Sequence, residues 1–241
     1  MLIQEGEARS TRADRQLART LAGVAGALNT AGFYAAGLYS ANMTGNISAF
    51  SDHVGIGELV PAALYLALIG TFISGAIVST LLINAGRRRR FAGIYAFSIL
   101  AEALLLGALG CADLWLPPAA RSSALVFGLS FLIGLQNAVV TRISNARVRT
   151  THVTGMITDI GIELGNLIDI ARRREGLEDA YVSKSKLRLH TQTVASFLVG
   201  GVIGVLTFKA VGLLLLFIAA LLLLAIAVRY MLVVQRGPGA A

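Results

Sequence analysis

Charge is scarce in this 241-residue chain: only 14% of its residues are Asp, Glu, Lys or Arg. A soluble domain normally carries about 25%, so a water-facing globular surface is excluded for most of the chain. Cysteine is scarcer still. With Cys111 alone, neither a disulfide framework nor a Cys-rich zinc site can form, and Cys111 reads as a small apolar residue near a helix end. No Walker A loop, H-E-x-x-H helix or G-x-S-x-G elbow occurs. With no nucleophile–base set visible, the expectation is a protein that is not an enzyme and holds no metal or cofactor.

What the chain has instead is apolar length. Hydrophobic residues make up 56%, and the mean hydropathy is +0.72. A membrane-crossing helix needs about 20 mostly apolar residues. Six runs meet that length: Leu21–Ser40, Leu59–Gly86, Phe91–Ala112, Ala124–Thr141, His190–Phe208 and Val211–Val233. The predicted fold is an all-α integral membrane protein of six spans. A cleaved signal peptide at Leu21–Ser40 fits poorly, because the apolar core is too long and no A-x-A site follows.

The net charge of +8 invites a nucleic-acid partner until the basic residues are placed. Nearly all fall in short segments on one side: Arg9–Arg19, Arg87–Arg90, Arg142–Arg188 and, near the end, Arg229 and Arg236. Only Arg121 and Lys209 fall on the other. This bias predicts both termini in the cytoplasm, with anionic lipid headgroups as the partner of the cations and no nucleic acid. The predicted organisation is a cytoplasmic tail over 1–20, a first three-helix unit over 21–112 and an external loop over 113–123. A second unit follows over 124–233, with a basic cytoplasmic insertion at 172–189, and a tail over 234–241 closes the chain.

A short polar phrase occurs twice: Ala-Asn-Met-Thr-Gly-Asn-Ile over 41–47 and Thr-His-Val-Thr-Gly-Met-Ile over 151–157. One copy follows a span running outward, the other a span running inward. Polar pairs precede both, Asn29-Thr30 and Gln136-Asn137, and a very short basic connection follows both. The expectation is two inverted three-helix repeats, an arrangement that in secondary transporters marks a binding site near mid-membrane.

The Gly-Leu-Gln-Asn-Ala-Val-Val-Thr-Arg run over 134–142, the paired Thr-Gly phrases and the six-span layout resemble the YoaK-like family of bacterial inner-membrane proteins, whose domain has no assigned function. The resemblance implies a multi-pass protein of the bacterial inner membrane and no activity. It also implies two departures: Asn29 stands where relatives usually carry Asp, and His152 where they carry an aromatic or apolar residue.

Candidate solute-binding residues follow from the phrases. Gly45 and Gly155 suit positive φ or close backbone approach, while Asn42, Thr44 and Thr154 suit the start of a half-helix. A half-helix N-terminus inside a membrane offers donors to a polar group. Asn29, Asn46, Gln136, Asn137 and His152 join this set, either as ligand contacts or as interhelical glue. Glu102 lies mid-span, where a carboxylate costs about 2.5–3.5 kcal/mol, so it must be neutral, paired or facing water; it is the candidate for proton coupling. Asp159, Glu163 and Asn166 share one helix face, and His152 is near enough in sequence to pair with Asp159. Gly200 and Gly204 read as a close helix crossing. Two functions stand open: a small-solute permease, with a second copy of the chain as a further partner, or a membrane scaffold acting through the basic insertion.

Overall fold

A computed structural model describes residues 1–2, 5–6, 9–173 and 177–235. Arg174 and Arg236, counted in the charge bias, lie outside the described residues, as does most of the 234–241 tail. The described residues form eight helices and no strand: α1 (Thr11–Ala36), α2 (Met43–Gly55), α3 (Leu59–Arg88), α4 (Ile94–Trp115), α5 (Pro118–Ser144), α6 (Val153–Arg173), α7 (Leu177–Val211) and α8 (Leu214–Gln235).

The helix ends follow local chemistry. Ser10 caps α1 by accepting from Ala13 N at 3.2 Å, and Gly37 closes it at φ +73°. Pro118 begins α5 behind Pro117, where the missing N–H costs nothing. Asn145 ends α5 in the left-handed region at φ +50°.

Five helices are long and apolar enough to cross a membrane, namely α3, α4, α5, α7 and α8. Helix α1 falls short of that composition because it is rich in Ala and Gly and interrupted by Asn29 and Thr30. The reason is its position: α1 lies inside, and Leu17, Leu21 and Leu28 are among the most buried side chains. Helices α4 and α5 are also inner elements, contributing Ile99, Leu106, Leu129, Ile133, Leu135 and Ile143 to the core. Helices α3, α7 and α8 instead turn Ile73, Ile77, Leu81, Leu198, Val202, Leu206 and Leu221 outward. An apolar exterior around a partly polar interior suits lipid as solvent.

Packing is reciprocal between the two halves of the chain. Helix α1 lies on α7 as α5 lies on α3, α2 lies on α3 as α6 lies on α7, and α4 meets α8. Glycine makes the first two crossings close. A Cβ on Gly26 would overlap the Phe197 carbonyl oxygen, and one on Gly200 would overlap that of Gly23. In the other crossing, Gly134 rests on the Phe72 carbonyl and Gly75 on that of Phe131. The same residue types therefore recur at matched positions: Gly-x-x-Asn at 26–29 and 134–137, and Phe-x-x-Gly at 72–75 and 197–200.

One end of the bundle gathers the basic segments. Arg9 is buried against Asp14 at 2.6 Å, Arg147 reaches Asp14 at 3.2 Å, and Arg87 pairs with Glu5. Arg142 donates to Asn84 at 3.0 Å. At the other end Lys209 stands 5.7 Å from the Tyr34 ring centre, and Ser122 donates to Ala35 O. The described residues of the basic insertion over 172–189 are helical, divided between the end of α6 and the first turns of α7.

Candidate functional site

Both repeated phrases lie where the chain folds back into the bundle. After α1 ends at Gly37, the backbone returns until Ala41 N donates to Asn29 Oδ1 at 2.9 Å. Asn29 stands two turns before the end of α1, so the chain has come back by about 10 Å. The second copy repeats the move. Past the positive-φ pair Asn145 and Ala146, the chain returns to Asn137, again two turns before the helix end. Asn137 Nδ2 donates to Thr151 Oγ1 at 2.9 Å, and its Oδ1 accepts from Thr150 and Thr151 at 3.2 and 3.1 Å. The two asparagines thus pin the starts of α2 and α6 inside the protein.

The repeated Thr-Gly pair has a different cause from the one expected. Neither Gly45 nor Gly155 has positive φ; both lie in the first turn of a helix. Asn42 caps α2 by accepting from Gly45 N at 3.0 Å, which folds its amide over the glycine. A Cβ on Gly45 would come 2.8 Å from Asn42 Cγ, and one on Gly155 would strike the His152 ring. In both copies glycine leaves room for the side chain three residues before it, Asn42 or His152.

The two helix starts meet at a single cavity of about 480 Å³. Its wall is built in equivalent pairs, one member from each half: Asn29 and Asn137, Tyr39 and Arg149, Ala41 and Thr151, Asn42 and His152, Met43 and Val153, Thr44 and Thr154, Phe72 and Phe197. Thr141 alone lines it without its counterpart. Of the candidates from sequence, Asn29, Asn42, Thr44, Asn137, His152 and Thr154 stand on this wall. Gly45 lies beneath Asn42, which caps α2, and Gly155 beneath His152. Asn46 is buried with its Nδ2 unpartnered among the described residues.

Gln136 faces away from its neighbour Asn137. It donates from Nε2 to Glu102 Oε1 at 2.8 Å, and both residues are 1% exposed. Glu102 is therefore paired inside the core and is not on the cavity wall. Among the described residues Glu102 Oε2 and Gln136 Oε1 have no partner. An amide at position 102 offers a donor to that second acceptor. Glu102→Gln should accordingly keep or raise thermal stability, whereas Glu102→Leu, which strands Gln136, should lower it by about 1–3 kcal/mol. Equal melting of the two variants would show that the pair contributes nothing.

His152 does not pair with Asp159. Its Nδ1 lies 3.3 Å from a nitrogen of the Arg149 guanidinium instead. Asp159 lies instead 3.8 Å from His190 of α7, while Glu163 is buried beside Lys186 at 3.7 Å. The acidic face of α6 thus serves its packing on α7.

Tyr39, Phe72, Arg149 and Phe197 were not expected on the wall. The matched Phe-x-x-Gly sequences carried the signal for the two phenylalanines; nothing local marked Arg149, which reads as one more inside cation.

The family described as "Protein of unknown function (DUF1275)" matches residues 17–229. The chain belongs to that family. No curated protein and no solved structure matches it. The DUF1275 match covers both halves of the cavity wall, and it agrees with the family resemblance carried by the Gln-Asn and Thr-Gly sequences. DUF1275 membership brings no activity with it, so the chemistry must come from the cavity.

Proposed function

We propose that the protein is a permease for a small polar solute, bound between two inverted structural repeats, α1–α4 and α5–α8. The observation that carries this reading is the cavity wall, formed by seven equivalent pairs of residues from the two halves. A site on a pseudo-two-fold axis, flanked by the starts of two half-helices, is the arrangement that lets one half rock against the other around a fixed ligand. The reciprocal glycine crossings, α1 on α7 and α5 on α3, join opposite halves and supply the surfaces on which such a motion would turn.

In this reading α1 is the sixth span, and α2 and α6 are re-entrant helices that start at mid-membrane. The end holding Arg9, Arg87 and Arg147 faces the cytoplasm, and the protein resides in the bacterial inner membrane with both termini inside. Cys111, exposed near the far end of α4, tests that orientation directly. A membrane-impermeant maleimide should label it in intact spheroplasts without lysis. Labelling only after lysis would reverse the topology. The scaffold reading finds less support, since Glu163 and Asp169 take up part of the charge of Lys186 and Arg173.

The test of transport is counterflow in proteoliposomes loaded with a fractionated metabolite extract. At least one fraction should exchange faster than in protein-free vesicles. No exchange with any fraction would overturn the permease reading.

A further inference from the structure

Charge breaks the two-fold pairing of the cavity, and it does so in one direction. Where the first half supplies Tyr39, the second supplies Arg149. No Asp or Glu stands on the wall. Among the described residues no carboxylate lies within ion-pair distance of Arg149; its one side-chain partner is His152. Asp159, which shares the neighbouring cavity with Arg149, is turned to His190.

Two further features add to the same sign. Helices α2 and α6 both begin at this cavity, and the first-turn N–H groups of a helix lack intrahelical partners and carry about half a positive charge. Asn29 is only 8% exposed, and its Oδ1 is taken by Ala41 N. With its oxygen engaged, what Asn29 has left to offer the cavity it lines is its amide N–H donors. Arg149, the helix starts and the Asn29 amide all present N–H donors to this wall, and donors are satisfied by a lone pair or a negative charge. Phe72 and Phe197 face the space from opposite halves and suit a compact apolar body.

Resting on the permease reading, we infer that the solute is a small organic anion. Its charged head lies toward Arg149 and the start of α6, and its body lies between Phe72 and Phe197. An oxyanion presented by a lipid headgroup has the same charge chemistry at its head, so the test must separate the two sources.

The full-length protein is placed in nanodiscs of neutral phosphatidylcholine, and its thermal stability is followed with three probes of one shape: benzoate, benzamide and benzylammonium. Benzoate should stabilise the protein, and the other two should not. Arg149→Gln should weaken the benzoate effect at least tenfold, while Arg149→Lys, which keeps the charge, should retain most of it. Phe72→Trp, which fills the cavity, should abolish it. Stabilisation by benzamide or benzylammonium instead of benzoate overturns the anion while leaving the permease reading intact. If no probe acts but counterflow shows exchange, the anion class again falls alone; if exchange is absent as well, both fall. Should discs containing phosphatidylglycerol protect the protein and remove the benzoate response, the anion belongs to the bilayer and the solute assignment is overturned.

Discussion

Gly26→Ala and Gly134→Ala should each leave much less folded protein in mild detergent than the parent chain. At both positions the added methyl meets backbone. In Gly26 it overlaps the Phe197 carbonyl and stands 3.0 Å from Gly201 N; in Gly134 it overlaps the Phe72 carbonyl. Backbone cannot rotate aside as a side chain can, so the helices must separate along the crossing. Overpacking of this kind costs about 1–3 kcal/mol and sometimes more. In a membrane the loss is felt fully, because close van der Waals contact is what holds helices together when lipid is as apolar as leucine. The control is Gly70→Ala, where nothing lies within 4 Å. That change should be neutral or slightly stabilising, since alanine is the better helix former by about 1 kcal/mol. Thermal unfolding followed by size exclusion measures all three. Equal melting of Gly26→Ala and Gly70→Ala would mean that the crossing is looser than described.

Asn137→Leu should reduce solute exchange by more than tenfold, with a smaller effect from Asn29→Leu. Asn137 holds the second returning connection through both Thr150 and Thr151, and also donates to Ile133 O at 2.9 Å. Asn29 holds the first through the single bond from Ala41 N. Each such bond contributes about 0.5–1.5 kcal/mol net, and a stranded buried partner costs more. Without its anchor the start of α6 loses its position on the cavity, taking His152 and Thr154 with it. Counterflow rate and melting temperature are read together. A variant that melts normally and exchanges at the parental rate would remove Asn137 from the site.

Much of the architecture was legible in the chain. Insertion into a bilayer is decided largely within one helix, by the length and hydropathy of that segment. The ranges of α3 and α8 therefore lie close to the apolar runs that announced them. Helix α1 was legible only as a run of length; its protein-covered faces free it from the need to be strongly apolar. Helices α2 and α6 were harder. Thirteen residues in α2 cannot cross a membrane, and their polar sequence reads equally as a surface turn.

The sequence by itself determined the class of protein, the position of most membrane-crossing segments and the recurrence of one polar phrase in the two halves. These are local properties, set by transfer free energy and charge along the chain. Only the tertiary structure decided that the two phrases meet. It also turned Asn137 to the cavity while its neighbour Gln136 turned to Glu102, and it brought Arg149 to the wall. Successive residues on a helix point about 100° apart, so adjacent amides must serve different surfaces. Which surface each one serves is set by where glycine lets α5 approach α3, and that distance is a property of two helices together.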